Sequence, residues 1–340
     1  MTSHRPVLLA LLVALVPALA ACGDDGAASA DAAATRTITH AEGVTEVPAE
    51  PRRIVALQDQ NALLPLLELG VKPVASAGLI GDDGSRSFRR TEGFDTGGIE
   101  FVGAYGEPNL EAIAAQEPDL IVSDEFTVDD QYDQLSRIAP TVAVQVFERP
   151  LTEALMDFAR VVGREERAEE LRAEYDARIE RLRADLGDDL ERTSVSLLSA
   201  GSPGSFYQAD SGGQAQYTVM RDLGLPRPPL QREGAVDDFT EFSLERLPDH
   251  DADVVIVNDF GGEAPDPGVT ALVESRLYRS LRATRAGQSY VIDGTRTVGS
   301  AWARMGAFLD ELERILLDPG LDRDVVDERD DRAGCVGRRE

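Results

Sequence analysis

Histidine and cysteine, which most often carry nucleophilic, acid–base or metal chemistry, are scarce in this sequence. Past the first few residues only His40 and His250 remain, far apart and without the spacing of a metal-binding pair. Cys22 and Cys335 are the only cysteines, and Cys335 sits in a polar terminal stretch poorly suited to a nucleophile. No G-x-S-x-G elbow, P-loop or G-x-G-x-x-G occurs. The acidic pairs Asp82-Asp83, Asp129-Asp130 and Asp237-Asp238 could in principle serve a hydrolase, but in a chain of net charge −28 they read as solvated loops. Arginine and aromatic residues, by contrast, gather between apolar runs. Arg86, Phe88, Arg89 and Arg90 lie between Gly78 and Gly98, and Phe206 and Tyr207 between Ala200 and Gly213. Arg296 lies between Asp293 and Ala301, with Trp302 and Arg304 just beyond. Guanidinium forks grip pairs of oxygens and rings stack on flat groups, which is the chemistry of holding a ligand.

The elements that must position these loops are strands and helices in alternation. Ile54–Leu57, Val74–Ala77, Phe101-Val102, Leu120–Val122 and Val142–Val146 read as buried strands, with helices over Asn61–Leu69, from Asn109 (as cap) to Gln116, Asp130–Ser136 and from Thr152 (as cap) to Val162. A hairpin is expected around Gly43. The pattern repeats with strands at Val195–Leu198, Val254–Val257 and Ser289–Ile292, and helices over Gln214–Leu223 and Trp302–Leu317. Between the halves runs Arg164–Leu186, free of Gly and Pro, with Ala168, Leu171, Tyr175, Ile179, Leu182 and Leu186 along one stripe. At about 1.5 Å per residue it is a helix roughly 35 Å long, long enough to bridge two lobes. The halves also echo each other in detail: Asn109-Leu110-Glu111-Ala112-Ile113 precedes Asp119–Val122, and Ser243-Leu244-Glu245-Arg246-Leu247 precedes Asp253–Ile256 without a gap. Alternating strands and helices imply mainly parallel sheets with ligands outside the carboxyl ends of the strands. The fold class is therefore α/β: two similar lobes with mainly parallel central sheets, joined by one long helix.

The 340 residues suffice for two cores, and 42% hydrophobic with 28% charged residues describes a soluble body. The negative charge excludes nucleic acid, whose phosphates need a basic face. Residues 1–21 have a short positive start and an apolar run broken only by Pro17, the pattern of a secretory signal and too short for a secure membrane span. Leu19-Ala20-Ala21-Cys22 resembles the lipobox of bacterial lipoproteins, which implies lipidation at Cys22; the alternative is an ordinary signal peptide with an incidental Cys. The organisation read from sequence is a signal over 1–21, a flexible tether over 22–36, an N-terminal lobe over 37–150, a connecting segment over 151–188 with its bridging helix at 164–186, a C-terminal lobe over 189–317, and a polar tail over 318–340.

Taken together, the lipobox, PRRIVAL, LLELGVKPVA, PNLEAIAAQEPDLIVSD, YDQLSRIAPTV, REERAEELRAEYDARI, RDLGLPRP and FSLERLPDHDADVVIV resemble the ABC-transporter substrate-binding lipoproteins of the iron-siderophore class, over nearly the whole chain from Thr37 to Leu317. The resemblance implies a monomer anchored by its N-terminal lipid on the outer face of the cell membrane. It implies no enzymatic activity, no resident cofactor or directly bound metal, and a ferric siderophore held between the lobes for delivery to an ABC permease. It implies a docking role for Glu111 and Glu245, one per lobe, against permease arginines; read alone, each is a first-turn residue that complements a helix dipole. Ligand-binding candidates are Arg86, Arg89, Arg90 and Tyr105 from the first lobe and Tyr207, Arg296, Trp302 and Arg304 from the second, with Phe88 and Phe206 beside them. Trp302 is either a stacking platform or a core aromatic, and each loop arginine either a ligand contact or a solvated charge. Haem or cobalamin on the same scaffold is the nearer alternative, Tyr105 and Tyr207 keeping haem open; an exported hydrolase is the more distant one.

Overall fold

The computed structural model describes residues 34–317 except 82, 148, 209–214, 233–239 and 263. Cys22, the tether up to residue 33, Asp82, Asp237-Asp238, Cys335 and the tail lie outside the described residues. The chain opens with the antiparallel hairpin of β1 (Thr35–His40) and β2 (Gly43–Pro48), turning at Gly43. Next come β3 (Ile54–Ala56), β4 (Ala75–Ile80), β5 (Arg86–Ser87), β6 (Glu100–Ala104), β7 (Glu107–Pro108), β8 (Leu120–Asp124) and β9 (Thr141–Val144). They form one sheet in the order β7-β6-β4-β3-β8-β9, with β5 paired to β4. Its four inner pairings from β6 to β9 are parallel in every case, and only β5 and β7 run antiparallel. All residues of β3, β8 and β9 are buried, as the continuous apolar runs require of a sheet covered on both faces.

The second sheet holds β10 (Val195–Ala200), β11 (Ser205–Gln208), β12 (Glu241–Ser243), β13 (Val254–Asp259) and β14 (Ser289–Asp293) in the order β12-β11-β10-β13-β14. β10, β13 and β14 are parallel, and β11 and β12 are antiparallel. The stretch expected to be a loop from Ala200 to Gly213 thus contains a strand. Its alternation is short: Phe206 and Gln208 point into the core and Ser205 and Tyr207 outward. The echo between the halves also stops short of shared secondary structure. Asn109 caps an α-helix over Leu110–Ala114 by accepting from the Ala112 N–H at 3.0 Å. Ser243 makes no such side-chain bond, and Leu244–His250 is 3₁₀, interrupted by Pro248.

The bridging helix spans Glu165–Leu186, and Ala168, Leu171, Tyr175, Ile179 and Leu182 are its buried residues. The preceding helix covers Leu151–Val162, with Pro150 before its first turn; Thr152 is inside the helix and buried, not its cap. The two helices are separated at Gly163, which has φ +67; a Cβ there would meet the Arg36 guanidinium at 3.0 Å. The bridging helix packs against Leu151–Val162, against the helix Ala215–Leu223 and against the final helix Trp302–Leu317. Arg178 fastens it to the final helix through Asp310 (2.7 Å), Glu313 (3.1 Å) and the Gly306 carbonyl (3.1 Å), and the Tyr175 hydroxyl donates to Asp222 at 2.9 Å. One apolar core runs from Val47 in the first lobe through this helix to Ile315 in the last, so the lobes share their interior.

The outer half of the second lobe has its own core, in which Phe206 and Phe242 pack edge-on against His250 at 4.9 and 4.7 Å. His250 is fully buried, and its Nδ1 lies 3.3 Å from the Gln231 amide nitrogen, which as donor fixes the neutral tautomer. Burial pushes the imidazole down to about 4. Its contribution to stability is complete above the ordinary value of 6.5 and is lost as pH falls from there through about 4, because only the unfolded chain can protonate it freely. A His250→Asn variant, unfolded in urea between pH 4 and 8, is expected to show a shallower acid loss than wild type.

Candidate functional site

The carboxyl ends of both sheets open onto one cavity of about 510 Å³. From the first lobe it is lined by Gln58, Gln60, Asn61, Arg89, Arg90, Tyr105 and Phe147. The second lobe contributes Ser199, Ala200, Tyr207, Gln208, Gln216, Tyr217, Asn258, Phe260 and Val298. Just over half of them sit at or just past the end of a parallel strand, the position at which such sheets hold ligands.

The segment after β3 takes an unusual form. Asp59–Leu63 is a single wide turn of π-helix that runs into the helix Leu64–Glu68, where the sequence predicts one helix over Asn61–Leu69. The Gln58 side chain caps it, accepting from the Gln60 and Asn61 N–H groups at 2.5 and 2.7 Å. Wide turns of this kind redirect side chains within a helix. Here Gln60 and Asn61 face the cavity while Asp59 is turned inward and fully buried.

Asp59 meets Arg89. Its carboxylate accepts from the Arg89 Nη2, Nε and backbone N–H at 2.6, 3.0 and 2.8 Å, and the guanidinium stacks on the Tyr105 ring at 3.7 Å. Arg90 is different. Its backbone is left-handed, φ 59, and its side chain makes no hydrogen bond or ion pair among the described residues. Its guanidinium instead lies 5.0 Å from the ring of Phe260, which belongs to the opposite lobe. Burial, with the adjacent Arg89 charge second, pushes Arg90 down to about 10, still protonated at neutral pH.

The opposite wall is amide. Gln216 and Asn258 exchange hydrogen bonds at 2.7 and 3.0 Å, and Gln216 also donates to Thr297 at 2.9 Å. On the first lobe Asn61 donates to the buried Asp124 at 3.2 Å; burial raises that carboxyl above its ordinary value.

Four of the eight ligand candidates read from sequence therefore line the cavity: Arg89, Arg90, Tyr105 and Tyr207. The other four do not. Arg86 is exposed on β5, 5.4 Å from the Phe101 ring. Arg296 is exposed, and its carbonyl accepts from Arg304 at 3.3 Å. Trp302 is only 5% exposed and packs on Tyr175 with centroids 5.7 Å apart, which makes it a core aromatic. Arg304 is buried and spends Nη2 on the Arg90 carbonyl, with Glu92 at 3.7 Å. Phe88 and Phe206 are packed on Phe101 and Phe242.

Trp302 and Arg304 belong to a seam that ties the lobes behind the cavity. Glu68 of the first lobe accepts from the Trp302 and Ala303 N–H groups at 2.7 and 2.6 Å, capping the final helix. Ser300 donates to Asn61 at 2.9 Å through its hydroxyl and to the Gln60 carbonyl at 3.3 Å through its N–H.

Sequence reasoning missed the amides Gln58, Gln60, Asn61, Gln216 and Asn258 and the rings Phe147 and Phe260. The available signal is position: Gln58–Asn61, Phe147, Asn258 and Phe260 directly follow predicted strands, but they belong to no charged or aromatic loop cluster. Glu111 and Glu245 are both exposed in the first turns of their helical segments, away from the cavity lining.

The sequence matches the family described as periplasmic binding protein over residues 75–295. The chain belongs to that family. It is 30% identical to the probable siderophore-binding lipoprotein YfiY of Bacillus subtilis over 93% of this chain and 99% of that one. Among solved structures it resembles Staphylococcus aureus SirA complexed with staphyloferrin B, with a TM-score of 0.69, 25% identity and coverage of 83% of this chain and 99% of that one. It also resembles the siderophore periplasmic binding protein from the fuscachelin gene cluster of Thermobifida fusca, with a TM-score of 0.63, 28% identity and coverage of 80% and 98%. Two of these relatives are binding proteins by name, and the two-lobed α/β architecture with its long helix agrees with that of the solved structures. Among the described residues of this periplasmic binding protein no helix is long and apolar enough to cross a membrane.

Proposed function

We propose that this protein captures a ferric siderophore in the cavity between its lobes and delivers it to an ABC permease without chemical change. The observation that carries this reading is the unpaired, partly desolvated Arg90 guanidinium in a cavity of about 510 Å³ walled by both lobes with tyrosines, phenylalanines and amides. A guanidinium with its hydrogen bonds unspent is a ready partner for chelate oxygens, and flanking rings can pack on the organic arms. The names of the relatives, a siderophore-binding lipoprotein and a protein solved with staphyloferrin B, support the same cargo. Lipidation at Cys22 would hold the protein at the membrane, and the exposed Glu111 and Glu245 would meet the permease.

The deciding experiment is calorimetric titration of the full chain with ferric hydroxamate, catecholate and carboxylate chelates, haem and cobalamin. A ferric chelate is expected to bind and to be recovered intact. Response to haem or cobalamin with every iron chelate silent would overturn the reading. Trp302, buried in the seam, is a reporter of the lobe junction rather than of ligand contact.

Gly294 offers a second test. A Cβ there would stand 2.5–2.9 Å from three atoms of the Phe260 ring, too close to be accommodated without moving it. Gly294→Ala should displace the ring from Arg90 and weaken chelate binding about tenfold, the scale of a modest overpacking strain. Unchanged affinity in the calorimeter would remove Phe260 from the ligand wall.

A further inference from the structure

We infer that the chelate this cavity accepts carries at most one net negative charge, as ferric trihydroxamate-type complexes do, and is not a ferric tris-catecholate. The inference rests on the siderophore reading above and narrows it to a charge class. Iron(III) bound by three singly charged hydroxamates is neutral, whereas three doubly charged catecholates leave three negative charges on the complex.

The charge balance of the cavity follows from its geometry. Two cations line it, Arg89 and Arg90. Arg89 is neutralised within the protein by Asp59, which is fully buried and accepts three hydrogen bonds from it, so the pair presents no net charge to a guest. Among the described residues of the lining, Arg90 alone is uncompensated. Arg304 is buried behind the wall beside Glu92, and Arg227 stacks on the Tyr217 ring at 5.2 Å outside the cavity lining. Arg86 and Arg296 are exposed and likewise outside it. The undescribed positions between 34 and 317 contain no Arg or Lys, and their charged residues are all Asp or Glu, so they can add no cation. Beyond the cavity, the net charge of −28 makes the surrounding field repel anions.

Among the described residues a guest of charge 3− would meet one free cation, leaving two charges stripped of part of their water with no partner, and unpaired charge in a desolvated site is strongly penalised. A neutral oxygen cage suits the same walls better. The Gln58 and Gln60 side-chain N–H groups, the Tyr105 hydroxyl and the Arg90 fork can donate to its oxygens, and the rings of Tyr105, Phe260 and their neighbours can pack on its arms.

The test is competitive equilibrium dialysis of the full chain with ferrioxamine E, a neutral ferric trihydroxamate, and ferric enterobactin, the 3− tris-catecholate, at low and high salt. The neutral chelate is expected to bind at least about 100-fold more tightly, with an affinity almost unmoved by salt because no net charge is transferred. Equal or tighter binding of the tris-catecholate would overturn the inference while leaving the siderophore reading intact. Silence with both, together with a response to haem or cobalamin, would sink the siderophore reading and the inference with it. Asp59→Asn keeps an oxygen for Arg89 but removes the compensating charge. It should shift the ratio of affinities toward the anionic chelate by about tenfold, the effect of one added partly screened charge. A ratio that stays fixed in a folded variant would show that Asp59 does not set the charge of the cavity, again overturning the inference. If that variant does not fold, the wild-type ratio and its salt dependence decide alone.

Discussion

The double substitution Glu111→Arg and Glu245→Arg is expected to abolish siderophore-dependent iron uptake in cells that rely on this protein, while chelate affinity of the purified variant stays within about twofold of wild type. The reason is geometric. Both carboxylates are exposed, project from the first turns of helical segments, and have no hydrogen-bond or ion-pair partner among the described residues. Neither lines the cavity. Charge reversal therefore leaves the ligand walls untouched but opposes like charges across any basic docking face, which costs several kcal/mol at an interface. Stability should hardly move, because exposed, unpaired charges contribute little. A paired growth and calorimetry experiment checks this: lost affinity would assign the two residues to the ligand, and undiminished uptake would dismiss them from docking.

Glu68→Ala is expected to be the most destabilising single change of a charged residue in the seam, by about 2–4 kcal/mol, since it orphans two N–H groups at the start of the final helix and leaves a partly buried gap. Its titration gives a finer test. Burial pushes the Glu68 carboxyl up to about 7 from an ordinary 4.5, against the opposing pull of the Trp302 and Ala303 N–H groups. The folded chain thus holds this proton more tightly than the unfolded one. The stability it brings is complete below pH 4.5 and is lost as pH rises through about 7. His250 slopes the other way, losing stability as pH falls from 6.5 toward 4. Between 4.5 and 6.5 the two oppose each other. In Glu68→Gln, which cannot titrate, the acid loss due to His250 should stand uncovered, steepening urea-unfolding stability over that window by on the order of 2 kcal/mol after allowance for solvent screening. A pH profile parallel to wild type would mean that Glu68 titrates normally.

The fold was largely legible in sequence where the hydrophobic pattern is long. The stripe from Ala168 to Leu182 is the buried face of the bridging helix, and the runs at Ile54, Leu120 and Val254 are central strands. Short or conflicting signals misled. β11 alternates over four residues only, and the resemblance of Ser243–Leu247 to Asn109–Ile113 hid Pro248, which helps make the second segment 3₁₀. The site was half legible. Arg89, Arg90, Tyr105 and Tyr207 were read by residue type and loop position, but type cannot tell whether a guanidinium is already spent. Arg304 resembles a ligand arginine until its contacts with two backbone carbonyls are seen, and the Arg89–Asp59 pairing spans thirty positions and a π-turn that no local pattern announces.

The uninterrupted core from Val47 to Ile315 has a consequence for how such proteins can diversify. Two lobes sealed from each other could be shuffled like cassettes, each bringing half of a binding surface. Here the helices around Glu165–Leu186 interlock side chains from both halves, so a hybrid joining one lobe to the other lobe of a distant relative would inherit a mismatched interior. New cargo is more readily acquired by replacing residues at the strand ends, where Gln60, Arg90, Asn258 and Phe260 stand clear of that shared core.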